Sequence, residues 1–362
     1  MFDANRSTGR MAEVPIGKGS PYALQVFVAQ RNGKPRPVVD MRPLNTLVPA
    51  DSYPIPRQDE VLDAIGGHLF ITSLDVTSSF YQRMIYKPDQ YRTAVASHRG
   101  HEYFKVAVMG YKRSVQHNQR LFDRMFKTLL WRIVCVYIDD IFIYSNSFED
   151  HVRDLDEVMQ ILSNKGFTLK ARKAFIGYQS IEVLGRQVDR LGLSSTSEKT
   201  EAIKKIEFPI NLKDLERFIG LASWNRHLIP FLAHRIAPLQ RLKTKLLNER
   251  ETRDQRARYV QRTTLEPMKK EVDSFGDVKE ALIDSVRNYH FIKGRLLFIF
   301  LDASKAWGFG AGVYQSIATD GSTRRKDLRP ICFISRQITG AESRYWLTDL
   351  ELAGLVWAVK KL

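Results

Sequence analysis

The chain has 362 residues, of which 44% are hydrophobic, so it is long enough for two or three domains with their own cores, and wholesale disorder is excluded. It carries 56 Lys and Arg residues against 40 Asp and Glu residues, a formal net charge of +16. This excess of positive charge favours a polyanionic partner, nucleic acid first of all, because neutralised phosphates release condensed counterions.

The sequence predicts an intracellular protein that is neither secreted nor membrane-spanning. Its two cysteines, Cys135 and Cys332, are too few for a disulfide framework or a Cys-rich zinc site. No apolar run approaches the ~20 residues that a membrane span needs. Charged residues interrupt the first thirty positions, where a secretory signal requires a continuous apolar core. Whether the compartment is cytoplasm or nucleus, and the oligomeric state, stay open.

The first half of the chain is predicted to be a mixed α/β region. Short β-rich runs separated by Pro- and Gly-bearing turns occupy residues 23–29, 69–74, 103–109 and 133–144. A helix is predicted over residues 150–164, where Leu155 and Leu162 share an apolar face and Gly166 supplies the stop signal.

The second half is predicted to contain a helical module and a further α/β region. Residues 197–245 have a helical pattern that three prolines interrupt. Residues 241–273 are rich in charge and poor in large apolar side chains, which favours a linker or solvated helix over an RNA-binding arm. The last predicted elements are strands at residues 296–301, 308–314 and 331–335 and a helix from Leu350 to the end.

Adjacent carboxylates interrupt the most apolar β-rich run of the sequence. Asp139 and Asp140 lie between apolar runs in residues 133–144, which predicts a hairpin with both acids at its tip. Two such anions about 4 Å apart repel by about 4 kcal/mol at an effective dielectric near 20, and a divalent cation would remove that cost. The alternative is that Asp-Asp is simply a good turn dipeptide facing solvent.

A third carboxylate favours the metal-binding interpretation. Asp75 ends another apolar strand, at a core-like position where an acid usually has a function. Three acids on neighbouring strand ends would form an oxygen-rich site suited to two Mg²⁺ ions, the arrangement that stabilises attacking and leaving oxygens in phosphoryl transfer.

The order of these motifs resembles the reverse transcriptases of gypsy-type LTR retrotransposons and, more loosely, those of retroviruses. Residues 73–82 resemble the first acid motif of that family, and residues 137–140 resemble the second. Four further segments resemble other parts of the family in the same order. Residues 36–45 resemble the fingers, and residues 53–57 resemble the tract that leads into the palm. Residues 183–186 resemble the primer grip, and residues 218–226 resemble the thumb helix. The resemblance implies an α+β polymerase with a right-hand arrangement of fingers, palm and thumb.

The resemblance also implies roles for individual residues. The expected catalytic and metal-binding residues are Asp75, Asp139 and Asp140, which would hold two Mg²⁺ ions, with Mn²⁺ as a substitute. The expected nucleotide-binding residues are Arg36, Arg31, Phe80, Gly110 and Lys173. The expected primer and template contacts are Leu184, Gly185 and Trp224. These roles imply an RNA-directed DNA polymerase that adds dNTPs to a primer on an RNA or DNA template.

Two of these residues have plain structural alternatives. Phe80 is expected to stand against a ribose 2′-hydroxyl, but it could equally be a core aromatic. Lys173 is a candidate for protonating pyrophosphate, and a solvated surface lysine is the alternative.

The sequence departs from the family between the two acid motifs. Arg113 and Val115 stand where relatives have a small residue and a proline, so we expect a looser start of the next helix and crowding of the templating base pair. Ser79 replaces a glycine or alanine, which would strain any backbone that needs a positive φ.

The end of the chain resembles the RNase H domain of the same family. Asp302 and Glu351 occupy two of its catalytic positions, although Asp302 could also be a turn-facing aspartate. The family needs two further carboxylates on later elements, so we expect no RNA cleavage from this chain. The sequence is therefore expected to be a fragment or relic of a retrotransposon polyprotein.

The expected organisation has four parts. These are fingers and palm at residues 1–190, a thumb-like helical module at 191–245, a charged connection at 246–290 and an incomplete RNase H-like α/β domain at 291–362. One alternative is a catalytically inactive, domesticated or relic protein that keeps the fold and binds nucleic acid. Another is a pseudogene product that does not fold stably because its unfinished last domain exposes sheet edges.

Overall fold

The chain forms two compact units in a computed structural model, Met1–Ile181 and Glu182–Leu362. The structure describes residues 2–15, 17, 19–31, 33–97, 100–250, 255–285, 287–306, 308–318 and 323–362. Across these residues, every helix is too short or too polar to cross a membrane.

The first unit is built from short strands and helices. Its strands are β1 (Met11–Glu13), β2 (Val26–Arg31), β3 (Lys34–Val39), β4 (Phe70–Asp75), β5 (Val95–Ser97), β6 (Gly100–Phe104), β7 (Val134–Tyr137), β8 (Asp140–Ser145) and β9 (Phe175–Tyr178). Its helices are α1 (Phe2–Ser7), α2 (Arg42–Leu47), α3 (Gln58–Ile65), α4 (Ser114–Met125) and α5 (Phe148–Asn164). Short 3₁₀ helices occupy Ser79–Gln82, Lys87–Thr93 and Ala171–Lys173.

A four-stranded sheet in the order β7-β8-β4-β9 forms the centre of this unit. Its middle strand β8 is rich in Ile, Phe and Tyr and is buried on both faces, where β-branched and aromatic side chains pack well. Phe122 of α4 and Val158 of α5 pack into the same core. Helix α5 begins two residues before its predicted start, because the Ser147 hydroxyl caps it by accepting a hydrogen bond from Asp150 N.

A smaller sheet in the order β1-β6-β5 and the β2-β3 hairpin complete the first unit. The predicted strand over residues 103–109 is wrong in its bounds, since β6 ends at Phe104. Beyond that point Val106 makes only an isolated bridge to Met84, and Gly110 turns the chain at a φ of 91°.

The second unit combines helices with two sheets. Its strands are β10 (Ser180–Val183), which crosses the unit boundary, β11 (Arg186–Asp189), β12 (Gly192–Ser194), β13 (Asn288–Tyr289), β14 (Leu297–Ser304), β15 (Gly308–Ser316) and β16 (Leu328–Arg336). Its helices are α6 (Ser197–Lys204), α7 (Leu212–Trp224), α8 (Leu232–Arg235), α9 (Ala237–Asn248), α10 (Arg256–Arg262), α11 (Lys269–Ile283) and α12 (Leu347–Lys361). A 3₁₀ turn occupies Arg226–Leu228, and another occupies Glu342–Arg344.

The charged stretch predicted as a linker or solvated helix is mostly helical. Tyr259, Leu265 and Val278, from the stretch expected to be a connection, are buried in one core with Leu212 and Phe218 of α7. The high charge of the region reflects the solvated faces of α9, α10 and α11, whereas a few well-spaced apolar residues bury the other faces.

The last part of the chain forms an antiparallel sheet in the order β14-β15-β16 with α12 against it. The predicted strands and final helix are confirmed, with ends that differ by a few residues. Gly354 of α12 lies in close contact with this sheet, since a Cβ there would be 3.5 Å from the Ala303 side chain. Among the described residues, β14 is an edge strand of this sheet.

Candidate active site

A tight hairpin carries the Asp-Asp pair. The loop between β7 and β8 consists of Ile138 and Asp139, and Tyr137 pairs across it with Asp140. The predicted hairpin is confirmed, but only Asp139 lies at its tip, because Asp140 already belongs to β8. Ile138 has a φ of 59°, a left-handed conformation that is rare for a β-branched residue and unfavourable without support.

Two polar side chains of α4 support this strained turn. Ile138 N donates to Gln119 Oε1 at 3.0 Å, and Asn118 Nδ2 donates to the Ile138 carbonyl at 2.7 Å. Asn118 Nδ2 also donates to Asp139 Oδ1 at 3.0 Å, and its own Oδ1 accepts from the Ser79 hydroxyl. The sequence interpretation missed Asn118 and Gln119, whose only signal is two adjacent amides on a helix that packs on an apolar sheet.

Strand pairing brings the first acid to the second. Strands β4 and β8 are antiparallel, and their register places Asp75 directly opposite Asp140. Cα atoms of directly opposed residues in such a ladder lie within about 5.5 Å. The backbone therefore places Asp75, Asp140 and the loop residue Asp139 at one end of the central sheet.

The two acids of the hairpin lie in an environment that disfavours their charges. Burial raises the pKa of Asp140 to about 6, with the negative charges of Asp75 and Asp139 adding to the effect. Burial and the charge of Asp75 also raise the pKa of Asp139. Burial and neighbouring carboxylates thus disfavour the charged forms of both acids, and a bound cation would favour those charged forms.

Asp75 differs from the other two acids because lysines neutralise it. Lys170 Nζ lies 2.6 Å from Asp75 Oδ1, and Lys173 Nζ lies 3.1 Å from Asp75 Oδ2. Burial raises the pKa of Asp75, but the hydrogen bonds and charges of these lysines outweigh it and hold the pKa below its ordinary value. The sequence analysis named Lys173 for another role and missed Lys170, which is 95 residues from its partner in the chain.

The donor set suits a hard cation, although its side chains are not gathered around one point. No group of three or more His, Cys, Asp or Glu side chains among the described residues is arranged to hold a metal ion. Carboxylate oxygens are nevertheless the ligands that Mg²⁺ prefers. The ammonium groups of Lys170 and Lys173 already pair with the Asp75 carboxylate, so this carboxylate binds cationic groups.

Phe80 follows the first acid by five residues and lies in a short 3₁₀ helix. It is half-buried, and the turn before it places Ser78 at a φ of 47°. The positive φ therefore falls on Ser78, and Ser79 is instead a buried residue whose hydroxyl bonds to Asn118. The strain expected from a side chain at position 79 is absent.

The departures around Gly110 leave the local fold regular. Gly110 needs its positive φ, and its carbonyl accepts a hydrogen bond from Asn45 Nδ2 at 2.8 Å. Arg113 precedes the first residue of α4, and its Nε donates to the Pro49 carbonyl at 2.9 Å. Helix α4 thus starts at Ser114 without a proline, and Arg113 is anchored on the preceding loop.

The two predicted phosphate-binding arginines belong to the β2-β3 hairpin. Arg31 pairs with Lys34 at its end, and Arg36 pairs with Ala29. The side chains of Arg31 and Arg36 lie outside the described part of the structure, so their contacts with a nucleotide stay a prediction.

The predicted primer-contacting residues lie in the second unit. Leu184 and Gly185 form the two-residue loop between β10 and β11 with φ values of 48° and 76°. The Gly185 carbonyl accepts a hydrogen bond from Lys199 Nζ. Arg186 follows the loop, donates to the Trp224 carbonyl at 2.8 Å and lies 5.5 Å from the Trp224 ring centroid, so these predicted contacts form one local cluster.

The two predicted RNase H acids lie on opposite sides of the β14-β15-β16 sheet, with Asp302 in β14 and Glu351 on α12. Asp302 is opposite Gly310, on which the Phe231 ring packs, and lines a cleft of about 900 Å³ between the sheet and α8, α9 and α11. The neighbouring Ala303 side chain points the other way, against α12, which carries the exposed Glu351.

Comparison with known families matches two regions of the chain. Residues 18–188 match the family model described as reverse transcriptase (RNA-dependent DNA polymerase). Residues 268–362 match the RNase H-like domain found in reverse transcriptases. Residues 18–188 belong to the reverse transcriptase family, and residues 268–362 belong to the RNase H-like domains found with it. The acid hairpin and the strand that ends at Asp75 both lie inside the first matched region.

Curated relatives of this chain are longer polyproteins. The retrovirus-related Pol polyprotein of the Drosophila melanogaster transposon opus is 28% identical over 95% of this chain and 34% of its own length. The corresponding polyprotein of the transposon gypsy from the same fly is 28% identical over 95% of the chain and 32% of its own length. The enzymatic polyprotein of cauliflower mosaic virus (strain Strasbourg) is 28% identical over 94% of the chain and 48% of its own length. The chain thus spans a third to a half of these relatives.

Solved structures confirm the α+β fold of the chain. A foamy viral protease-reverse transcriptase in complex with double-stranded DNA has a TM-score of 0.83 at 20% identity, over 99% of this chain and 70% of that one. The same type of protein in complex with an RNA/DNA hybrid has a TM-score of 0.79 at 19% identity, over 99% of this chain and 45% of that one.

Proposed function

We propose that this chain is an RNA-directed DNA polymerase that transfers nucleotides from dNTPs to the 3′-hydroxyl of a primer on an RNA or DNA template. The observation that carries the proposal is the strand register that sets Asp75 opposite Asp140, with Asp139 in the adjoining loop, inside a reverse transcriptase domain. The excess of positive charge on the chain supports a nucleic-acid substrate.

Two Mg²⁺ ions, replaceable by Mn²⁺, would be held by Asp75, Asp139 and Asp140. When bound, such ions lower the pKa of the primer hydroxyl and neutralise charge on the triphosphate. Asn118 supports this role, because it donates to Asp139 and to the strained loop and so holds the carboxylate in one orientation. The raised pKa of Asp140 supports it too, since an ion would offset the burial and the repulsion from Asp75 and Asp139 that raise it.

The other predicted contacts complete the proposal. Arg31 and Arg36 would bind the triphosphate, and Phe80 with the Gly110 turn would border the incoming nucleotide. Lys173 would stand near the leaving pyrophosphate. The Leu184–Gly185 loop and Trp224 would contact the primer and template, which suits their position beside one buried arginine.

Primer extension tests the polymerase. Purified full-length protein should extend oligo(dT) on poly(rA) with Mg²⁺ or Mn²⁺, and Asp139→Asn should lower the rate by at least about 10³-fold. Glu157→Gln is the matched control, because it also removes one carboxylate but lies exposed on α5. If the unsubstituted protein extends nothing with either ion, the chain is not a polymerase.

A second candidate function is nucleic-acid binding without catalysis. It is favoured by the pairing of Asp75 with two lysines and by the lack, among the described residues, of side chains gathered around a metal position. Such a protein would bind primer–template with a steep salt dependence and incorporate nothing.

A further inference from the structure

Backbone hydrogen bonds hold the turn that carries Lys170 and Lys173 next to Asp75. Lys170 N donates to the Asp75 carbonyl at 2.9 Å, and Lys173 N donates to the Lys170 carbonyl at 2.9 Å. Leu169 forms an isolated bridge with Val76 just beyond the end of β4. The turn is therefore fastened to the residue whose side chain its lysines neutralise, and the ion pairs are not a chance meeting of long surface side chains.

Each carboxylate oxygen of Asp75 has its own ammonium group. Lys170 contacts Oδ1 and Lys173 contacts Oδ2. The Asp75 side chain is 21% exposed and that of Lys170 39%, so water screens this pair less than a fully exposed one. Lys173, at 64% exposed, is the more solvated of the two partners.

A divalent ion and the lysines need the same oxygen atoms. Hard cations bind carboxylate lone pairs at 2.0–2.1 Å, as Mg²⁺ does, and an ammonium hydrogen-bonded to that oxygen both occupies it and repels the ion. We infer that the ammonium groups of Lys170 and Lys173 are paired with the Asp75 carboxylate before a metal ion binds. A divalent ion then binds Asp75 only by displacing the ammonium group of Lys170. The inference rests on the proposed metal-binding role of Asp75.

Binding of Mn²⁺ alone tests the inference, without primer, template or nucleotide. Free Mn²⁺ is measured by electron paramagnetic resonance with the full chain at low ionic strength. Lys170→Met should tighten Mn²⁺ binding by about tenfold, the effect of one charge at contact distance, and Lys173→Met should tighten it less because that lysine is more exposed.

Arg172→Met is the matched control. It removes one positive charge from the same turn, but the exposed Arg172 makes no ion pair with Asp75, so Mn²⁺ binding should change by less than about twofold. The double variant Asp75→Asn with Lys170→Met should lose the gain. Circular dichroism of each variant confirms folding.

The Mn²⁺-binding experiment has three distinguishable outcomes. A gain confined to the lysine variants and dependent on Asp75 supports the inference. An equal gain for Arg172→Met would reduce the effect to general electrostatics, and unchanged binding in both lysine variants would show that they do not compete with the ion. If Mn²⁺ binding responds as expected while primer extension fails, the polymerase proposal falls and the lysine inference stands.

Discussion

Two buried arginines of this chain differ in what surrounds their guanidinium groups. Arg83 is 9% exposed and lies 5.7 Å and 6.0 Å from the ring centroids of Phe122 and Phe167. Among the described residues, its Nε and Nη2 have no hydrogen-bond partner, and burial lowers its pKa to about 10. Arg186 is equally buried, but it donates to Asn225 Oδ1 and to the Trp224 carbonyl at the C-terminal end of α7.

The same substitution should therefore have opposite effects at these sites. Arg83→Met should raise the free energy of unfolding by about 1 kcal/mol, because it removes a buried charge with unsatisfied donors. Arg186→Met should lower it by about 2 kcal/mol, because it leaves helix-end acceptors without donors. Urea unfolding with unchanged m-values measures both, and a loss of stability in Arg83→Met would contradict this account.

The raised pKa of Asp140 makes the free energy of unfolding depend on pH. Its folded pKa is about 6 against an ordinary value of 3.8, so the folded state binds more protons than the unfolded state between these values. Stability is thus lost as pH rises through this range. Without metal, Asp140→Asn should raise the free energy of unfolding at pH 7.5 by about 1 kcal/mol, after allowing for solvent screening, and should abolish primer extension.

The exposed control for this prediction is Glu157→Gln, which should change neither quantity measurably. Thermal unfolding at pH 4 and pH 7.5 gives the comparison. The explanation fails if Asp140→Asn stabilises the protein equally at both values.

A chain of buried hydrogen bonds joins four elements of the first unit. Gly177 N of β9 donates to Thr72 Oγ1 of β4, which contacts His151 Nε2 of α5 at 2.7 Å. His151 Nδ1 lies 3.1 Å from Ser145 Oγ of β8, and that hydroxyl donates to Asp154 Oδ2 at 2.7 Å. Every donor in this series of hydrogen bonds has one acceptor only when His151 is neutral.

Protonation of His151 should therefore loosen the packing of α5 on the central sheet. Burial lowers its pKa below the ordinary value of 6.5, against the opposing charge of Asp154. The unfolded chain then binds more protons than the folded one, so stability rises with pH through this range and is lost below it. His151→Gln, which keeps a neutral donor and acceptor, should flatten the rise in unfolding free energy between pH 5 and 7. Parallel pH profiles for both proteins would show that His151 does not contribute.

The charge of the whole molecule makes a further prediction. With a net charge of +16, binding to a primer–template duplex should weaken by about 10³-fold between 50 and 200 mM salt if six or more phosphates are contacted. Asp139→Asn should keep the same slope, because the slope counts phosphates neutralised by Lys and Arg side chains and this substitution removes neither. Fluorescence anisotropy with a labelled duplex measures it, and a flat profile would exclude extensive phosphate contact.

The sequence alone determined the elements that local patterning specifies. An apolar run interrupted by two acids predicted the hairpin, because strand period and turn chemistry are local properties. The proximity of Asp75 to that hairpin depends on the pairing of β4 with β8, which is a long-range contact. The order of motifs predicted the family, which the comparisons show for residues 18–188. The strands and helix of the last region followed from the same periodicity.

Only the tertiary structure decided which side chains meet from distant positions. Lys170 reaches Asp75 from 95 residues away, and no local pattern marks it among many basic residues. The burial of Tyr259 and Val278 was not predicted, because their stretch of sequence is rich in charged residues. A helix needs only a few apolar residues to bury one face. Register placed Asp302 on the face that Phe231 covers. Contacts of this kind depend on how elements pack, which a sequence specifies only through the whole fold.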